Sequence, residues 1–141
     1  MEILNEMKLE FLSRSSNESF ARVTVSAFVS QLDPTLGELA DIKTAVSEAV
    51  TNSIIHGYEN TLGIITLVTR IYKDRKIEIS VKDMGKGIED IKKARQPLFT
   101  TGNSDERSGM GFTVMETFMD EVHIESKVNG GTTVTLKRCL S

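Results

Sequence analysis

The stretch Ser47-Glu48-Ala49-Val50-Thr51-Asn52-Ser53-Ile54-Ile55-His56-Gly57 constrains the fold more than any other part of the chain. Ile42, Ala45, Val46, Ala49, Val50 and Ile54 recur at helical spacing, so one face of a helix must meet a core. Glu48, Asn52 and His56 fall at i, i+4 and i+8 and share a neighbouring stripe of that helix. A carboxylate one turn from an amide, at the edge of a buried face, is more than packing asks for. Gly57 is expected to stop the helix by entering the left-handed conformation that only glycine adopts cheaply.

Around this helix the pattern alternates between short strands and helices. Lys8 to Leu12 reads as a strand, and Ser15 or Ser16 as the cap of a helix running to Leu32. That helix is expected to turn Phe20, Val23, Ala27 and Phe28 inward. Asp33-Pro34 breaks the chain, and the second helix begins near Thr35 or Leu36 and continues to His56. Gly63 to Tyr72 and Ile77 to Asp83 are strands joined by the polar turn Lys73 to Lys76, read as a solvated tip. A short helix is expected from Gly87 to Arg95, then a polar loop from Pro97 to Ser108. A loop of that length is more often functional than idle. A helix over Phe112 to Met119 follows, and two final strands are joined at Asn129-Gly130-Gly131, a strong hairpin signal.

Composition narrows the classes. A chain of 141 residues suits one domain over 1-141 with a core of its own. A net charge of -3 without a basic block excludes general attraction to nucleic acid or anionic lipid. The single cysteine, Cys139, cannot pair within the chain, and no apolar run reaches bilayer length. A soluble, cytoplasmic protein is expected. Cys139 reads as a small apolar residue near a strand end, and His56 and His123 as structural.

Two further motifs carry chemistry. Asp83-Met84-Gly85-Lys86-Gly87 follows a strand, and Ser108-Gly109-Met110-Gly111-Phe112 precedes a helix. Each alone is also what an ordinary turn looks like, since glycine supplies positive φ. A helix start with free N–H groups equally suits an anion. Neither matches a Walker loop or a dinucleotide fingerprint.

Taken in order, Glu48-x-x-x-Asn52, Asp83-x-Gly85-x-Gly87, the polar loop, Gly109-x-Gly111 and Gly131-Thr132-Thr133 resemble the ATP-binding fold shared by gyrase, Hsp90, sensor histidine kinases and MutL. The likeness covers the whole chain. Ser47 to Asn52, Arg95-Gln96-Pro97-Leu98-Phe99-Thr100-Thr101, Arg107 to Phe112 and Phe20-Ala21-Arg22-Val23 narrow it to the anti-sigma serine kinases, in particular those acting on sporulation sigma factor F.

The resemblance implies an α/β two-layer sandwich, with a mixed, mostly antiparallel sheet and helices on one face. It implies ATP or ADP and Mg²⁺ as ligands, Asn52 as the metal's oxygen donor and Glu48 as general base. Asp83 would accept the adenine amino proton, with Gly85 and Gly87 letting the base approach and Thr133, together with Thr132, completing that end. Gly109, Met110 and Gly111 would hold phosphates, with Thr100, Thr101 and Ser108 nearby and Arg107 neutralising the γ-phosphate. The implied activity is ATP-dependent phosphorylation of an anti-anti-sigma protein on serine, by a homodimer that also binds sigma factor F. The dimer would join through the first strand and helix, with Arg22 facing partners. Neither histidine lies in a phosphoacceptor helix, which argues against a sensor histidine kinase. A stress-response anti-sigma kinase, or a nucleotide-gated binding module without phosphotransfer, are the alternatives.

Overall fold

A computed structural model of the chain describes residues 2–88, 95 and 111–141. Its first strand, β1 (Ile3–Leu12), is longer than the sequence pattern indicates because backbone pairing with a neighbour, rather than alternation, sets its length. The helix α1 (Ser16–Val29) follows and ends in a 3₁₀ turn over Ser30–Leu32. Next come α2 (Leu36–Asn52), β2 (Ile64–Tyr72), β3 (Lys76–Asp83), α3 (Gly111–Phe118), β4 (Glu121–Lys127) and β5 (Gly131–Cys139).

The five strands form one sheet in the order β1-β2-β3-β5-β4. All four pairings are antiparallel, so the mixed component has no member among the described residues. Strict alternation decides the faces. Ile65, Leu67, Thr69 and Ile71 of β2, Ile77, Ile79 and Val81 of β3, and Val134 and Leu136 of β5 are buried beneath the helices. The opposite face carries a charge ladder across the whole sheet: Glu6, Arg70, Glu78, Lys137 and Glu121 are successive cross-strand neighbours. Arg70 pairs with Glu6 at 2.5 Å and with Glu78 at 3.3 Å. Being open to water, such pairs contribute about 0–1 kcal/mol each and serve mainly to keep this face solvated.

α2 is the central helix, packed between α1 and α3. Ile42, Ala45, Val46, Ala49 and Val50 are fully buried along it, and each Val or Ile stabilises the fold by roughly 1.5–3 kcal/mol. Its start is a capping box: Thr35 Oγ1 accepts the Glu38 N–H at 3.0 Å while Glu38 Oε1 accepts the Thr35 N–H at 2.9 Å. Ser15 holds the corresponding position at α1 but makes no side-chain cap bond.

The inward face of α1 differs from expectation. Ala21, Val25 and Val29 are buried and Phe28 is half-buried, whereas Phe20, Val23 and Ala27 are exposed. The helix is rotated so that its smaller residues enter the core on the side that packs against α2. The bulky residues form an uncovered stripe. The Lys73 to Lys76 turn is also more than a solvated tip. Asp74 and Arg75 have φ of 65° and 61°, and the Arg75 guanidinium donates to Leu32 O at 2.5 Å and Ser141 O at 3.0 Å. Cys139 is exposed at the end of β5, and exposed His123 on β4 lies 3.5 Å from Glu121, so neither is a core residue.

Candidate functional site

The second helix does not run unbroken to His56. Regular α-helix ends at Asn52, and Ser53–Gly57 make one turn of π-helix, closed by the Tyr58 N–H donating to Ser53 O at 3.0 Å. A π turn inserts a residue into the helical ladder and so moves His56 off the Glu48–Asn52 stripe. Gly57 has no positive φ and does not stop the helix in the expected way. Its lack of a side chain matters for space: a methyl there would lie 2.8 Å from the Asp83 carboxylate.

Asp83 ends β3 beneath this turn, only 2 % exposed. Ser53 Oγ donates to its Oδ2 at 2.7 Å and the Gly85 N–H to its Oδ1 at 2.9 Å. Burial pushes the Asp83 carboxyl above the ordinary aspartate range, while the bonds from Ser53, Gly85 and Thr132 pull the other way by favouring the charged form. The result is an acceptor held in one orientation inside an apolar wall.

The loop after Asp83 is gripped from two sides. On one, the Lys86 N–H donates to Gly57 O at 3.0 Å, and a methyl on Gly85 would overlap that same carbonyl at 2.0 Å. On the other, the β4–β5 hairpin takes hold: the Asn129 N–H donates to Lys86 O at 2.7 Å and the Ile88 N–H to Ser126 Oγ at 2.7 Å. Gly87 sits at φ +77° with the Lys127 carbonyl where a side chain would be. Both glycines of this motif are therefore required by close backbone approach.

Thr132 lies opposite Asp83 in the sheet, on the helix side, and its Oγ1 is 2.8 Å from Ser126 Oγ. Thr133 is paired with Lys82 and belongs to the opposite face. The structure thus brings Thr132 to the site and takes Thr133 away from it, because neighbouring strand residues point to opposite faces.

On α2, Glu48 and Asn52 are both half-buried, one turn apart. The start of α3 comes up against them: a methyl on Gly111 would lie 3.4 Å from Glu48 Oε2. This joins the helix carboxylate to the second glycine motif across the fold, with the positive end of the α3 dipole toward the acid. Gly87, Ile88 and Arg95 are not helical, and residues 89–94 of the expected short helix lie outside the described residues, as do Thr100, Thr101, Arg107, Ser108, Gly109 and Met110. Arg22 on α1 is half-buried, 3.5 Å from Glu18 and donating to Ser19 Oγ at 3.3 Å, remote from this cluster in the chain's layering. Ser53, Tyr58 and Ser126 were not legible as site residues; only the adjacency of Ser53 and Tyr58 to the Glu–Asn helix could have flagged them.

The comparisons with known proteins give the family and the fold. Residues 13–138 match the family of the histidine kinase-like ATPase domain. The anti-sigma F factor of Thermoanaerobacter sp. (strain X514) is 64% identical over 98% of this chain and 96% of its own length. This chain belongs to the anti-sigma F factor family. The anti-sigma F factor of Geobacillus kaustophilus (strain HTA426) is 63% identical, covering 95% of this chain and 92% of its own. The crystal structure of the RsbU and RsbW domains of Rv1364c from Mycobacterium tuberculosis shares the fold, with a TM-score of 0.70 at 20% identity over 96% of this chain and 32% of that one. As a member of the anti-sigma F factor family, the chain is an anti-sigma factor carrying a histidine kinase-like ATPase domain, which implies nucleotide binding. No helix among the described residues is long and apolar enough to cross a membrane.

Proposed function

We propose that this protein binds sporulation sigma factor F and, using Mg-ATP, phosphorylates an anti-anti-sigma protein on serine. The observation that carries the catalytic half is the juxtaposition of Glu48 with Gly111, which sets a carboxylate beside a glycine-led helix start. In this reading Glu48 accepts the proton of the acceptor serine as its oxygen attacks the γ-phosphorus. The bond from that phosphorus to the bridging oxygen breaks, and ADP leaves. Positioning and charge neutralisation supply most of the rate in such transfers, and a base adds the remainder.

Asp83 accepts the adenine amino proton, Gly85 and Gly87 allow the base against the backbone, and Thr132 completes that end. Gly109, Met110 and Gly111 hold the phosphates, with Thr100, Thr101 and Ser108 beside them and Arg107 on the γ-phosphate. The donor set fits Mg²⁺: an amide oxygen from Asn52 one turn from a carboxylate is hard-oxygen chemistry. Mg²⁺, when bound, would neutralise phosphate charge.

The partner half rests on the named relatives and on α1. Phe20 and Val23 of α1 are 56% and 55% exposed, and Ile3 and Leu4 of edge strand β1 are exposed as well. This apolar edge is the homodimer contact, and Arg22 beside it meets the protein partners. Phosphorylation adds charge and acceptor oxygens to the anti-anti-sigma protein and so separates it from this surface. A transcription partner of this kind places the protein in the cytoplasm.

Incubation with labelled ATP and an anti-anti-sigma protein tests the reading. Acid-stable phosphoserine on that protein is the expected product. Acid-labile phosphohistidine would move the chain to the sensor-kinase class, and nucleotide uptake without transfer would leave a nucleotide-gated binding module.

A further inference from the structure

The π turn after Asn52 delivers one side chain that the proposed chemistry does not use. Tyr58, 8% exposed, lies immediately beyond it. Its hydroxyl donates to Ile64 O at the start of β2 (2.8 Å) and accepts the N–H of Met84, the residue after Asp83 (2.7 Å). Its ring fills the space over Gly63, where a methyl would overlap it at 2.2 Å. Its own carbonyl accepts the Thr61 N–H at 3.2 Å, and the preceding carbonyl, Gly57 O, accepts from Lys86. One phenol therefore ties the first residue of β2 to the residue just after β3, one peptide from Asp83.

We infer that Tyr58 is a positioning residue for base recognition, fixing the Asp83–Gly85 corner through the Met84 N–H so that the carboxylate reads the amino group of the purine. This rests on the reading of Asp83 given above. The phenol suits the task because it donates and accepts at once. Both of its partners are backbone groups, so losing the hydroxyl removes one hydrogen bond from each of the two segments. Without the hydroxyl the corner relaxes in the free protein and must be re-formed on binding, and the loss appears as affinity for the base.

Tyr58→Phe keeps the ring and removes only the hydroxyl. Two probes separate base reading from general damage: ATP, and purine riboside triphosphate, which has the same phosphates but no 6-amino group. Wild-type protein is expected to prefer ATP. In Tyr58→Phe, ATP affinity is expected to fall about tenfold and the preference for ATP to shrink by about threefold or more, with the loss confined mostly to ATP. Equal losses for both nucleotides, or unchanged values for both, would overturn the inference while leaving the site reading intact. A wild-type protein indifferent to the amino group would overturn the reading of Asp83 together with the inference. Should Tyr58→Phe not fold, hydrogen exchange in wild-type protein decides: the Met84 amide is expected to be protected and to slow further with ATP. A Met84 amide that exchanges freely would refute the role.

Discussion

Gly57 and Asp83 touch. A methyl on Gly57 would fall 2.8 Å from both the Cγ and the Oδ2 of Asp83, a carboxylate whose two oxygens are already held by Ser53 and the Gly85 amide. The helix end and the strand end thus share one contact that has no spare volume, and several consequences can be measured.

Gly57→Ala should act as an overpacking substitution beneath the site. Insertion of a methyl against a fixed carboxylate is expected to cost about 1–3 kcal/mol of stability. That lowers the melting temperature by several degrees, and because Asp83 must swing away, calorimetry should show weakened ATP binding. Unchanged ATP affinity would mean that Asp83 does not meet the nucleotide.

Glu48→Gln keeps the shape of the side chain and removes its basicity. ATP binding should survive within a few-fold, while the rate of phosphate transfer to the acceptor serine falls by about 10²–10⁴. Single-turnover transfer at saturating ATP is the relevant measurement, and near-normal rates would remove Glu48 as the base.

Asn52→Asp exchanges a neutral amide for a charge one turn from Glu48. A second carboxylate there should disturb Mg-ATP binding without altering the fold. Titration of ATP at several Mg²⁺ concentrations should show both a weaker and a more metal-dependent affinity.

Phe20→Lys puts a charge into the exposed stripe of α1. Burial of a phenylalanine side chain contributes about 2 kcal/mol, so dimer affinity should fall by ~30-fold for each copy lost from the contact. Sedimentation over a range of concentrations reads this directly. A monomer at all concentrations in wild-type protein would remove the dimer from the proposal.

Glu38 gives a pH signature. The Ser141 and Thr35 N–H groups and the Ser141 hydroxyl, all donating to its carboxylate, hold its pKa well down, from 4.5 to about 2. A depressed folded pKa means the unfolded chain binds the proton more readily. The stabilisation is complete above pH 4.5 and is lost as pH falls toward 2. Urea midpoints should show Glu38→Gln weaker than wild type near neutrality, with the gap closing progressively over that acid range.

Much of this was written in local pattern. The strand alternation of Ile77, Ile79 and Val81, the period of α2 and the Asn129-Gly130-Gly131 turn each depend on near neighbours, and each reappears in the structure, the two strands with bounds shifted by about a residue and α2 ending as regular helix at Asn52 instead of His56. The glycines at 85, 87 and 111 were visible as motif positions for the same reason. The inward face of α1 was not, because the bulkiest residues on a helix point to whatever partner is available, and Phe20 and Val23 face away from this chain's own core.

From its order of residues alone, the chain determined a helix bearing Glu48 and Asn52, a sheet with one buried face, and two glycine corners able to meet a phosphate-bearing ligand. Only the tertiary structure decided that Gly57 yields space to Asp83 rather than ending a helix, that Thr132 rather than Thr133 shares the sheet face of Asp83, and that Tyr58 bridges the start of β2 and the residue after β3. The physical reason is range: periodicity and capping act over a few residues, whereas these choices are contacts between segments tens of residues apart, made when helix and sheet close on each other.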